Sequence, residues 1–185
     1  ATAIVGALRG KLSAGALSAV RSGTDDPEAY DLYLQGISYR ARQTDVALEK
    51  AIEYFQAATK RSPTFSRAYA AMGSSYAVQG WYDYRPPKIA FPAALEAANE
   101  ALRLDPRSAS AQATIAYARL YYDWDLPTAE REFVRALEMD PNSGLAHQWY
   151  GNYLAVSQRW DEADAAFRTA LMLEPTLPVR HAVGV

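Results

Sequence analysis

The 185-residue chain contains no cysteine, which excludes disulfide staples and any thiolate metal centre or thiol nucleophile. It has only two histidines, so imidazole chemistry is confined to His147 and His181. No apolar run reaches the length needed to cross a bilayer. An excess of either charge is lacking: the net charge is −2, and the lysines and arginines are scattered, a pattern that gives no field for holding nucleic acid. No glycine-rich phosphate loop is present. The Ala1–Leu8 stretch has neither a basic lead nor a cleavage context, so it does not read as a signal peptide. Its start without methionine reads as the edge of a piece cut from a longer chain.

What remains is half hydrophobic, with alanine dominating that half. Alanine favours helix and lets helices approach closely. Between Asp140 and Pro175 the apolar residues Ala146, Trp149, Tyr150, Tyr153 and Leu154 fall on one helical face. After a polar break at Ser157–Asp161, a second face runs through Ala163, Ala166, Phe167, Ala170 and Leu171. Pro175 ends it, since proline lacks the N–H that a helix interior requires. Two such short helices cannot cover their own apolar faces and need neighbours on both sides.

The neighbours are written into the chain. Ala163, Phe167, Ala170, Pro175 recurs as Ala129, Phe133, Ala136, Pro141 and as Ala51, Phe55, Ala58, Pro63. A fourth copy, Ala94, Ala98, Ala101, Pro106, puts alanine in the aromatic position. Gly36, Gly73 and Gly151 recur in the first helices, with Ala116 standing in once. This pattern resembles the tetratricopeptide repeat (TPR), a helix–turn–helix unit of about 34 residues stacked into a solenoid. The resemblance implies an all-α fold, a right-handed TPR solenoid of antiparallel helix pairs, with four units at about 26–63, 66–106, 109–141 and 144–175. Residues 1–23 are expected to form a linker or capping helix. Residues 176–185 are expected to open a truncated fifth unit or a tail. Turns are expected near Gln43, Trp81–Pro87, Asp123–Leu126 and Gln158–Trp160, the second enlarged by nine residues.

The phrases Pro27–Gly36, Ala51–Phe55, Tyr121–Asp125 and Ala129–Phe133 are similar to a bacterial subgroup in which the array is the C-terminal part of signalling proteins. There the preceding module is an adenylate/guanylate cyclase, a winged-helix regulator or a protein kinase. The resemblance implies a cytoplasmic protein-interaction scaffold; the alternative is a regulatory or sensor part of such an enzyme or DNA-binding regulator. No residue here recommends itself as catalytic, and no cofactor is implied. His147 and His181 are expected to be packing or half-exposed residues, not a base or a ligand. Asp123 and Asp125 are expected to end one helix and cap the next, and Glu130 and Glu132 to be solvated.

By repeat position the concave face should be lined by Tyr33, Ile37, Arg40, Arg67, Ala70, Ser74, Ala77, Ala113, Tyr117, Leu120, Tyr121, Gln148, Asn152 and Ala155. Tyr33, Arg40, Arg67, Ser74, Tyr117, Tyr121, Gln148 and Asn152 are the expected partner contacts, for a protein or peptide partner of acidic and aliphatic character. Tyr33 and Ile37 stand where the co-chaperone members of the family carry a lysine and an asparagine, which argues against a chaperone-tail ligand. A second surface is expected on one edge, from Trp81, Tyr82, Tyr84, Tyr122 and Trp124, with two readings open: the rings bury one another, or they form an adhesive patch. Phe55, Phe133 and Phe167 should be core, while Ala98 leaves a space for a bulkier neighbour. Cut ends near Ile4, Leu8, Leu177 and Val179 predict self-association.

Overall fold

The computed structural model describes residues 23–175. The expectations for the N-terminal helix, the fifth unit and His181 fall outside them, as do the apolar positions near both ends. Eight α-helices occupy this span: α1 Pro27–Arg40, α2 Asp45–Arg61, α3 Ser66–Trp81, α4 Pro87–Leu104, α5 Ala109–Tyr121, α6 Leu126–Met139, α7 Gly144–Val156 and α8 Trp160–Leu173. Among the described residues there is no strand. Each odd helix packs on the even helix that follows, and α1, α3, α5 and α7 touch in series. This is the all-α stack of antiparallel helix pairs that the repeat pattern dictates.

The helix ends show why the chain breaks where it does. The Asp26 carboxylate accepts from the Glu28 and Ala29 amides at 2.9 and 3.1 Å, and Asp125 accepts from the Thr128 amide at 3.1 Å. Thr44 and Ser143 do the same for Ala47 and Ala146. These bonds satisfy amides that have no partner within the helix. Pro27, Pro87 and Pro127 sit in first turns, where no amide proton is needed. Each even helix ends two residues before a proline: Ser62, Asp105, Asp140 and Glu174, the residues between, all leave helical geometry, because the following ring disfavours it. Each pair turns through one left-handed residue, at Gln43, Asp83, Trp124 and Gln158, with φ of 50°, 56°, 55° and 60°.

Within the first and fourth pairs a phenylalanine lies over a glycine. A Cβ on Gly151 would come within 2.6 Å of the Phe167 ring, and one on Gly36 would strike Phe55. Phe55, Phe133 and Phe167 are buried. The second pair is built differently from the expectation that a bulky residue fills the space at Ala98. A Cβ on Gly73 would meet the backbone of α4, at 3.0 Å from the Ala94 carbonyl and 3.2 Å from the Ala98 amide. The two helices close the space by approaching each other. The aromatic contact has moved to Gly80, where an added Cβ would lie 2.9 Å from the Phe91 ring. Gly80 and Phe91 lie seven residues from Gly73 and Ala98 along antiparallel helices, so the pairing has slid two turns toward the connecting loop.

Candidate partner-binding groove

The odd helices present a groove with a cavity of about 270 Å³ at its centre. Its wall is built by Tyr33 and Arg40 of α1 with Arg67 and Ser74 of α3, and it is faced by the 140–145 connection and Glu174. Arg40 is half-buried, and its Nη1 donates to the Ser74 hydroxyl at 2.7 Å, while that hydroxyl donates to the Ala71 carbonyl. Desolvation within the groove lowers the Arg40 guanidinium below its ordinary value, with Tyr33 and Glu174 acting in the opposite sense. Arg40 makes no ion pair among the described residues. Arg67 is exposed and lies over the Tyr33 ring at 5.4 Å, a cation–π contact that holds its head at the rim.

The groove therefore contains Tyr33, Arg40, Arg67 and Ser74, but the continuous strip expected along all four pairs is shortened. Tyr33 and Ser74 are nearly covered, at 8% and 1% exposure, so they shape and orient the wall while the arginines offer the contact groups. Tyr117, at 3% exposure, is core: its ring packs 4.3 Å from Trp149 and 4.6 Å from Tyr121. Gln148 is also buried, and neither it nor Asn152 lines the cavity. Burial in aromatic surroundings raises the Tyr117 phenol well above its ordinary value and pushes Tyr121 up to about 12. The repeat register places these positions on first helices. It does not show that the Tyr117 ring would turn onto Trp149 of α7 or the Tyr121 ring onto Trp81 of α3.

Along the edge formed by the turns, the rings contact one another and remain partly open. Trp81 packs edge-on to Tyr82 at 4.6 Å and Tyr121 at 6.0 Å, Tyr82 stacks on Tyr84 at 5.2 Å, and Tyr122 stacks on Phe91 at 5.3 Å. Trp81, Tyr84 and Tyr122 are each about two-fifths exposed, and Trp124 is 68% exposed. Trp160 adds a third open indole at the next turn.

Charged residues expected to be solvated are instead engaged. Glu130 accepts from Arg159, and Glu132 accepts from the buried amide of Gln112. At the other end, Glu49 accepts from Gln79 and Arg85 at 3.0 and 2.7 Å. Asp123 pairs with Arg119 and Asp125 caps α6; no cluster of metal-ligating residues occurs among the described residues. His147 makes a 2.9 Å contact from Nε2 to the Pro141 carbonyl. No described helix is long and apolar enough to cross a membrane.

No family profile matches the sequence, and no curated protein matches it. Among solved structures, the crystal structure of MamA is similar over 82% of this chain and 81% of that chain, at 21% identity and a TM-score of 0.49.

Proposed function

We propose that this chain is a protein-interaction scaffold whose concave groove receives an acidic segment of a partner protein. The observation that carries the reading is Arg40. Its guanidinium is partly desolvated, it is oriented by a single hydroxyl, and it opens into a cavity beside a second arginine. A carboxylate arriving there gains charge-assisted hydrogen bonds in a site where water competes poorly. Asp140 and Glu174 on the opposite side restrict the register, since a ligand acidic along its whole length would be repelled there. The ligand chemistry that fits is one or two carboxylates flanked by aliphatic side chains. The setting would be a cytoplasmic bacterial signalling protein in which the scaffold serves an adjoining cyclase, winged-helix or kinase module, and no catalytic step is assigned to these residues.

The test is binding of a short labelled leucine–glutamate peptide, followed by fluorescence anisotropy. Arg40→Gln and Arg67→Glu should each weaken it by about tenfold or more, and added salt should weaken the wild-type complex, because the arginine contacts reach solvent. Retained affinity in both variants, with helicity intact, would overturn the reading. A second reading places the partner on the aromatic edge. It is favoured by Trp124, whose bulky side chain stands exposed on left-handed backbone where the fold gives it no ring partner among the described residues. Loss of a native partner on Trp124→Asn, with the arginine variants unaffected, would select it.

A further inference from the structure

A second cavity lies on the opposite side of the stack and belongs to neither surface above. It measures about 750 Å³ and runs between α2 and α4, with α3 as its floor. The floor residues are Tyr69, Met72 and Tyr76, at the i, i+3, i+7 spacing that places them on one face of α3. All three are half-buried, so each presents an open face to the groove. The α4 wall is made of small side chains, Ala93 and Ala97.

The groove lies beside the slid contact of the second pair. With no aromatic at position 98, α4 rests its backbone directly on Gly73. It sits lower on α3 than a phenylalanine would allow, and its alanines leave the stripe of α3 uncovered toward α2.

The rim carries both signs, with Glu96, Glu100 and Arg103 along α4. Arg103 is held by Glu100 through two bonds of 2.8 and 2.6 Å, which leaves that pair closed on itself. Glu96 is exposed and makes no hydrogen bond or ion pair among the described residues, yet its charge is felt by the Tyr76 phenol. The charge left unpaired along the groove is therefore the Glu96 carboxylate, on the α4 side of the tyrosine floor. At the far end the chain itself occupies such an arrangement: the Arg85 guanidinium lies 5.5 Å from the centre of the Tyr76 ring while pairing with Glu49 at 2.7 Å. Ring face and carboxylate together hold a guanidinium there.

We infer that the groove between α2 and α4 is a second docking site, and that its occupant is a basic amphipathic segment of a partner protein. A lysine or arginine of that segment pairs with Glu96 over the tyrosine floor, as Arg85 pairs with Glu49, and neighbouring aliphatic side chains cover Met72 and Tyr69. The floor spans about 10 Å, so the segment needs about two helical turns. The site is independent of the concave groove, with the opposite charge preference and no shared residue.

The experiment is anisotropy with a short labelled peptide of leucine and lysine. Glu96→Lys should weaken binding by about tenfold, since it removes the ion pair and sets a like charge against the lysine or arginine over the tyrosine floor. Ala93→Trp fills the groove without changing charge and should weaken binding by a similar factor. Glu138→Lys on α6, an exposed carboxylate with no partner among the described residues, makes the same change of net charge and should leave binding unaltered. The far-ultraviolet helicity of each variant reports folding. The inference fails if the wild-type chain does not bind the peptide. It also fails if the two lysine variants weaken it equally, which would mark general attraction to an acidic protein.

Discussion

The second and fourth helix pairs solve one packing problem in two ways. In α7/α8 the glycine and the phenylalanine of the repeat meet directly, Gly151 beneath Phe167. In α3/α4 the same chemistry is found seven residues nearer the connecting turn on each helix, Gly80 beneath Phe91, and the repeat's own glycine is covered by helix backbone. In these two pairs one aromatic ring is seated in one glycine notch, while the third pair buries Phe133 with Ala116 in place of the glycine. The position of the notch along the helices is free, because antiparallel helices keep residues opposite each other when both shift equally. The slide has a consequence at the junctions. Phe91, drawn to the turn end, stacks on Tyr122 of the next pair, whereas the outer junctions are tied by Glu49–Arg85 and Glu130–Arg159.

The comparison breaks most sharply at the rings. Phe167→Ala and Phe91→Ala should each lower stability by about 3–5 kcal/mol, the range for emptying a buried aromatic site. Urea unfolding measures both. A loss below about 1 kcal/mol at Phe91 would show that the second pair has no anchoring ring. Restoring the repeat's aromatic should not help: Ala98→Phe places a ring where α4 already rests on Gly73, and overpacking should cost about 1–3 kcal/mol. If that variant is as stable as the parent, the approach of the helices at Gly73 is not tight.

The repeat pattern makes most of this fold legible. Its alanines, glycines and terminating prolines carry the pairing in local sequence, and Ser62, Asp105, Asp140 and Glu174 each leave the helix just before their proline. The slid contact was not legible. Phe91 lies outside the motif register, and the double proline Pro86–Pro87 sets the entry of α4 through geometry that spacing does not encode. The candidate site was legible only to the level of the helix. Register identifies Arg40 and Tyr117 alike as first-helix positions, but only the neighbours decide that one opens into a cavity and the other is covered by Trp149.

The ion-paired junctions sharpen the contrast with the stacked one. Glu49→Ala removes the acceptor of the Gln79 amide, which is only 1% exposed, and leaves that donor without its partner. The cost should be about 1–2 kcal/mol by chemical denaturation. The pH dependence has a defined sign. Hydrogen bonds from Gln79 and Arg85 hold the Glu49 carboxyl below its ordinary value. Its contribution is therefore complete above the ordinary carboxylate range and is lost as pH falls through the lowered value in the fold. The Phe91–Tyr122 junction has no such dependence. Acid should loosen contacts between α2 and α3 before those between α4 and α5, which amide hydrogen exchange resolves; simultaneous loosening would show that the ion pair is not what distinguishes them.

The smallest effect should also have the opposite sign. Four turns each pass through one left-handed residue, but their occupants differ in suitability: Gln43, Asp83 and Gln158 are polar, whereas Trp124 is bulky, at φ 55° and 68% exposed. Left-handed backbone is costly for a large side chain and well tolerated by asparagine. An indole so open to solvent recovers little of that cost through burial. Trp124→Asn should therefore raise stability by about 0.5 kcal/mol, a shift in Tm of one or two degrees for a chain of this size. Asp83→Asn at the neighbouring turn should change it less, since aspartate already tolerates that geometry. A fall in Tm for Trp124→Asn would mean that the indole contributes more to the edge than its exposure indicates. A rise would leave Trp124 as a residue that the fold does not need, at a surface position where its remaining use is contact with another molecule.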